Sequence, residues 1–252
     1  MDETAPLCES CGYALSGLPE SAACPECGRL VSSSLPAARP GTPWQRRSNP
    51  ATWFRTMWCV LRHPKRTFQE LRIARGTTLL LVINLVIAGL AIADPWVGAL
   101  AGDPARGAWR LRQGSDAVRH LVTLAVEGAI VAVVLFALTY VEYAGIRFFA
   151  RTRGWRLTNA AAWQICAHAS VGWILSGVLA IVSLAAMFTL VNLFGLAPTG
   201  EIDLNPSIPG KTGVYGLVGV AAPAAGYFAG LLVFEILVHA GVRQCKYAAR
   251  AE

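Results

Sequence analysis

The sequence predicts an all-α transmembrane helical bundle of about four spans, with five as the alternative count. A small four-cysteine module and an amphipathic interfacial helix precede it. Three observations lead there. Apolar residues make up 54% of the 252 and charged residues 15%, against about 45–50% and 25% in a soluble domain; mean hydropathy is +0.46. The excess is concentrated, because from Leu157 to Gly200 there is no Asp, Glu, Lys or Arg, a run too long for the core of a small soluble domain. Four cysteines are spaced as Cys8-x-x-Cys11 and Cys24-x-x-Cys27. A purely soluble protein, a disordered chain and a collagen-like fibre are excluded.

Residues 1–30 form the cysteine module. Each pair can set two thiolates on one tight turn, and two such turns facing each other complete a tetrahedral site of four sulfurs, the ligand set of structural Zn2+. Gly12 and Gly28 directly follow the second cysteine of each pair, where a positive φ lets backbone N–H groups point at sulfur. Pro25 stiffens the second turn. Thirty residues cannot bury a sufficient core, so the metal would supply most of the folding energy. The rivals are a rubredoxin-type iron and two disulfides; a cytoplasmic N-terminus argues against the disulfides. Four thiolates leave no open position, which argues against catalytic zinc. The module has no Lys or Arg before Gly28 and carries Asp2, Glu3, Glu9, Glu20 and Glu26. That charge opposes phosphate contacts, so no nucleic-acid partner is expected. Docking to a protein partner, or to the chain's own membrane domain, fits better.

Residues 31–48 are rich in Ser, Pro and Arg and read as a flexible linker. The opening MDETAPLCES is acidic and lacks an apolar core, unlike a secretory signal peptide. Residues 49–76 read as an amphipathic interfacial segment. Asn49 can cap a helix with Pro50 at its first position, and Trp53, Met57, Val60 and Leu61 fall on one face. Pro64 starts a second short helix with Phe68 and Leu71 on its apolar side. Trp53, Phe54 and Trp58 beside Arg55, Arg62, Lys65 and Arg66 suit a layer of anionic lipid headgroups. An ordinary helix packed on the bundle is the plainer alternative. Across residues 44–76 eight basic residues face the single acid Glu70, and their place just before an apolar span favours lipid over nucleic acid.

Residues 77–243 form the membrane domain, with spans at about 77–93, 118–141, 170–196 and 214–242, and residues 244–252 form a tail. The third region is too long for one pass: residues 158–196 as one helix would measure about 58 Å against a core of about 30 Å. A short helix at about 158–168, a bend near Ser170–Gly172 and a span to about Leu196 resolves this. Orientation follows from Lys and Arg. The segment before the first span, the loop carrying Arg147, Arg151, Arg153 and Arg156, and the tail with Arg243, Lys246 and Arg250 are basic. The loop between the third and fourth spans has only Lys211 with Glu201 and Asp203. The loop between the first and second is mixed, with Arg106, Arg110, Arg112 and Arg119 among Asp94, Asp103 and Asp116. An even count with both termini cytoplasmic, in a bacterial inner membrane, satisfies most of these flanks.

Within the spans, Glu127 and His168 fall at depths that would let them meet near mid-membrane. Ionisable groups there are candidates for a proton-linked relay, or for a packing pair. Glu235, His239 and Arg243 follow at four-residue steps on one helix face and suit an ion-paired helix end; a metal site there would lack a second ligand pair. Gly216, Gly219, Pro223, Gly226 and Gly230 line one face of the fourth span with small residues. That face admits another helix closely, inside the bundle or across a homodimer. Pro223 should kink it. Cys59, Cys166 and Cys245 read as free buried thiols, with palmitoylation of Cys59 or Cys245 near the inner surface as the lesser alternative.

Two stretches carry resemblances. CESCGYALSGLPESAACPECG at 8–28 resembles the N-terminal zinc ribbons fused to bacterial membrane proteins, especially those of planctomycetes. VLRHPKRTFQELRIARG at 60–76, with its Pro, basic pair, Phe and Leu ahead of a span, resembles the Yip family of polytopic membrane proteins, as does Arg156–Val182 with an apolar helix after a basic loop. This resemblance covers about 50–245. Yip proteins usually have five spans, one more than counted here. The resemblance implies no catalytic residues; eukaryotic members interact with Rab-type GTPases and shape membranes. The leading expectation is a non-enzymatic membrane scaffold or interaction protein with a zinc ribbon for protein docking. The alternatives are a proton-linked transporter or channel using Glu127 and His168, and an intramembrane enzyme, for which Glu235, His239 and the scattered cysteines supply neither a nucleophile nor an open metal site.

Overall fold

The computed structural model describes residues 6–73, 77–100, 114–193 and 211–248. Among these the chain is helical apart from the cysteine module, which is held by two isolated antiparallel bridges, Leu7 with Ala14 and Ala23 with Leu30. The helices are α1 (Pro43–Arg46), α2 (Pro50–Arg62), α3 (Pro64–Glu70), α4 (Thr78–Leu100), α5 (Gly114–Thr152), α6 (Asn159–Ala169), α7 (Val171–Leu193) and α8 (Lys211–Cys245). Among the described residues, three stretches are long and apolar enough to cross a membrane: Leu121–Thr152, Asn159–Met187 and Ala221–Cys245; Thr78–Ala93 is a shorter apolar helix. The mixed loop with Asp103, Arg106, Arg110 and Arg112, the loop with Glu201 and Asp203, and Arg250 lie outside the described residues.

The helix starts follow local chemistry. Asn49 caps α2 by accepting from the Thr52 N–H, and Thr52 returns the bond to the Asn49 N–H, a capping box with Pro50 at the first helical position. Thr42 and Gln45 make the same box for α1. Thr158 caps α6 through Ala161. The overlong third region is two helices separated only by Ser170, whose hydroxyl donates to the Ala167 carbonyl at 2.7 Å.

The chain divides into two compact units. One comprises Met1–Ile83, Ala137–Val171 and Phe234–Glu252. Its core joins Phe68 and Leu71 of the α3 region, Ile165 and Cys166 of α6, and Val238, Val242 and Cys245 of α8, all buried. Gly241 permits this closeness: a Cβ there would meet Ile165 and Phe68 side chains at 2.6 and 3.1 Å.

Residues 31–48, expected as a flexible linker, are a packed strap in this unit. Val31, Ser34, Arg39, Thr42 and Trp44 are buried. Composition misleads here because the polar residues are spent on hydrogen bonds. Gln45 donates from Nε2 to the Arg72 carbonyl and to Gln164 Oε1, and its Oε1 accepts from the Arg72 N–H.

The other unit comprises Asn84–Phe136 and Gly172–Val233, the apolar stretches of α4, α5, α7 and α8. Small residues bring these helices together, as expected where packing, not the hydrophobic effect, drives association. A Cβ on Gly89 would run into the Gly128 carbonyl and Ala132 of α5, one on Gly177 into Ala91 of α4, one on Gly226 into Leu179 and Ala180 of α7, and one on Gly230 into Ser176 of α7. At Gly226 and Gly230, therefore, the small-residue face of the fourth span is filled by α7. Gly216 and Gly219 are helical, but their packing lies outside the described side chains. Pro223 sits buried inside α8. Ser183 of α7 donates to the preceding carbonyl, Ala222, at 2.6 Å, the kind of side-chain partner that supports backbone near a helix break.

Gly230→Val should lower the thermal midpoint in detergent through a loss of about 1–3 kcal/mol from overpacking. The exposed neighbour Ala229 serves as control, and Ala229→Val should leave the midpoint within error.

Candidate metal centre

The cysteine module is built from two copies of one turn, sixteen residues apart. In the first, Cys8 N–H donates to the Tyr13 carbonyl and Gly12 N–H to the Cys8 carbonyl, both at 2.8 Å; in the second, Cys24 N–H donates to the Arg29 carbonyl at 2.7 Å and Gly28 N–H to the Cys24 carbonyl at 2.9 Å. Gly12 and Gly28 hold φ of 83° and 72°, the left-handed region that a side chain would strain. Leu15 and Val31 pack with Cys8 and Cys24 into a small core.

The turns face each other so that the four sulfurs lie within 4.8 Å of one another. Cys8 Sγ is 3.4 Å from Cys27 Sγ, and Cys11 Sγ is 3.6 Å from Cys24 Sγ. A tetrahedron with bonds of about 2.3 Å to a central ion has edges of about 3.8 Å, so these separations suit a four-sulfur metal site. They are too long for S–S bonds, and all four cysteines are free.

The electrostatics agree. Burial pushes the Cys8 thiol up, but N–H groups of Cys11 and Ser10 and the neighbouring thiols outweigh it and pull Cys8 down to about 6. At Cys11 the Tyr13 N–H favours the thiolate, but burial and the crowding of Cys24, Cys27 and Cys8 push it up to about 12. A cation at the centre removes this conflict. Such a site is closed: it can fold and brace the module, and it offers no position for a substrate.

The two turns differ in surroundings. The first is seated on the rest of its unit. Glu9, between the first two ligands, accepts from Arg39 Nε at 2.6 Å, and its N–H donates to Ser34 Oγ. Gly12 lies under Tyr247, so close that a Cβ would sit 2.9 Å from the ring. The second turn is free: residues 25–30 are exposed, and nothing lies within 4 Å of a Cβ placed on Gly28. The module is thus docked, through Arg39 and Tyr247, on helix ends of its own unit.

Arg39 is the centre of that docking. It is buried, and its guanidinium also donates to the Phe68 and Leu71 carbonyls through Nη1 and to the Gln244 carbonyl through Nη2 at 2.8 Å. Burial works against its charge, and the Cys245 sulfur and the Glu9 carboxylate outweigh that, holding the guanidinium above its ordinary value. Sequence reading missed Arg39 because it sits among prolines and serines in an apparent linker; the lone signal was an arginine between the module and the basic block.

The other expected sites fare differently. His168 is fully buried, but both ring nitrogens are taken inside its own unit. Nδ1 must donate to the Gln164 carbonyl at 2.8 Å, so Nε2 accepts from the Thr42 hydroxyl at 3.2 Å. Among the described residues, Glu127 Oε2 is buried without a hydrogen-bond partner. Glu235, His239 and Arg243 are exposed, and the described ion pairs, Arg39 with Glu9 and Arg66 with Glu70, do not include them. Four-residue spacing aligns side chains on a helix but does not force contact. On α2, Met57 and Val60 are buried, while Phe54 and Trp58 stand out at 69% and 63% exposure. Arg55, Arg62, Lys65 and Arg66 are exposed around them, and Arg62 lies 5.8 Å over the Trp58 ring. Trp53 is half-buried, edge-on to Phe54.

No family model matches the chain, no curated protein matches its sequence, and no solved structure matches its fold.

The purified full chain should hold one metal equivalent by elemental analysis. Cys24→Ser should weaken binding by more than about a hundredfold, since even changes outside the ligand set cost 10–100-fold. Binding at neutral pH should release protons, because Cys11, near 12 without metal, is still protonated. Affinity should therefore fall on acidification, most steeply towards the Cys8 value of about 6. Calorimetry in buffers of differing ionisation enthalpy measures both.

Proposed function

We propose that this chain is a non-enzymatic integral membrane scaffold or interaction protein, Yip-like in its plan, that carries a structural zinc ribbon for docking a protein partner. The observation that carries this reading is the way the ribbon is mounted. Its first turn is fastened to helix ends while the whole second turn, residues 25–30, faces outward. A module that only closed off the fold would not need a presented half. Among metals bound by four cysteine sulfurs, Zn2+ fits a non-redox bracing role.

The membrane domain in this reading has four spans, with α4 as the first, α5 as the second, the α6–α7 pair as the third and α8 as the fourth, in a bacterial inner membrane with both termini cytoplasmic. The basic residues before α4, in the 147–156 stretch and after α8 support that orientation. The outward face of α2, with Phe54 and Trp58 ringed by Arg55, Arg62, Lys65 and Arg66, supports contact with anionic headgroups.

Reporter fusions after Arg29 and Arg250 should both read cytoplasmic. A periplasmic reading at the C-terminus alone would replace four spans with an odd number. In nanodiscs of mixed phosphatidylcholine and phosphatidylglycerol, replacing Arg55, Arg62 and Lys65 with Gln should reduce co-purified phosphatidylglycerol; each basic residue near an anionic surface contributes about 1 kcal/mol. Unchanged lipid content would count against the interfacial role. Affinity capture from membranes, with the exposed second turn intact or carrying Leu30→Ser, tests the docking surface: a partner lost with Leu30→Ser supports it, and capture unaffected by that change overturns it.

A further inference from the structure

The ribbon's first turn carries both the metal ligands and the contacts that hold it to the helix ends. Glu9 lies between Cys8 and Cys11, and Gly12 follows Cys11 directly. Glu9 meets Arg39 at 2.6 Å. Arg39 in turn donates to the carbonyls of Phe68 and Leu71 at the end of α3 and of Gln244 at the end of α8, where helix dipoles present negative charge. Gly12 receives Tyr247, two residues beyond α8. Beneath this node lies Cys245, fully buried, with its sulfur 3.7 Å from Arg39 Nη1 and its thiol directed to the Phe68 carbonyl at 3.5 Å. The second turn, by contrast, has Cys27 exposed, so a competing chelator reaches the site from the side away from the node.

We infer that the ribbon is a metal-responsive latch: occupancy of the four-cysteine site holds Glu9 against Arg39 and Tyr247 over Gly12, and loss of the metal releases the joined ends of α3 and α8. This rests on the reading of the cysteines as a metal site and adds what the metal controls. The physical steps are short. Thirty residues with a core of a few side chains cannot keep their fold without the ion. When the first turn unravels, Glu9 leaves, and Arg39 becomes a buried charge without its counter-ion, a state that buried pairs avoid strongly. The guanidinium then moves to water and gives up three backbone carbonyls at two helix ends. Because those ends belong to α3, which leads into the membrane domain, and to α8, an apolar helix long enough to cross it, the metal state of a peripheral module becomes a change in how the membrane helices are tied together.

Cys245 is the reporter. In the full chain in nanodiscs, maleimide labelling of each cysteine is followed by mass spectrometry before and after treatment with a zinc chelator, with Zn2+ re-addition as the reverse step. Labelling of Cys27 reports metal loss, and buried Cys166 in α6 reports global unfolding. The latch predicts that chelation raises the Cys245 labelling rate by about tenfold or more, as expected for local opening, that Cys166 stays protected, and that Zn2+ restores protection. Glu9→Gln, which keeps the metal ligands, should raise Cys245 labelling with metal still bound; Arg39→Lys tests the same node without removing the charge and should give a smaller rise. A chain that binds metal, loses it to chelator and keeps Cys245 protected overturns the latch while leaving the metal site standing. So does a parallel rise at Cys166, which would mean unfolding of the whole unit. A reduced, folded chain that binds no metal overturns both.

Discussion

The buried guanidinium of Arg39 sets what its unit can look like. A charge removed from water must find compensation in place, and here it comes from four directions: a carboxylate in the cysteine module, two carbonyls at the end of α3 and one at the end of α8. The module, the end of α3 and the end of α8 are far apart in sequence. Satisfying one side chain therefore fixes the module, the strap and two helix termini at once. The helix ends gain as well, since their last carbonyls have no intrahelical donors and need partners from outside.

The strap that carries Arg39 works by the same economy of polar groups. Thr42 caps α1 and donates to His168; Gln45 closes the capping box, bonds the Arg72 backbone on both sides and reaches Gln164. His168 and Gln164 are thereby satisfied in a helix whose residues are buried on nearly every side. Buried polar side chains in an apolar helix suggest chemistry when seen alone. Here each anchors the strap through one bond, His168 Nε2 accepting from Thr42 and Gln164 Oε1 accepting from Gln45.

The second unit follows a different rule. Between apolar helices there is little to gain from hiding surface, so close backbone approach decides which helices pair. Glycines at 89, 177, 226 and 230 each sit where a side chain would strike a neighbouring backbone or a small residue. The two units thus illustrate two ways of specifying helix contacts: polar groups that must be satisfied in one, and absent side chains in the other.

Much of this was legible in the sequence because it depends on short-range covalent geometry. The two Cys-x-x-Cys turns with their following glycines, the Asn49–Pro50 and Pro64 helix starts, and the break at Ser170 all follow from residues a few positions apart, and local sterics and capping act at that range. The apolar stretches were legible from length and composition alone. What only the tertiary structure decided is who meets whom. The sequence placed His168 within an apolar stretch and Gly226 and Gly230 on a face of small residues; that Thr42 bonds His168 and that α7 meets Gly226 and Gly230 came only with the fold. It also read residues 31–48 as loose, because polar composition is the same whether a residue faces water or a buried partner. Burial and partner choice depend on residues far apart in the chain: Arg39 meets Gln244 across more than two hundred positions, and no local pattern encodes a contact of that span.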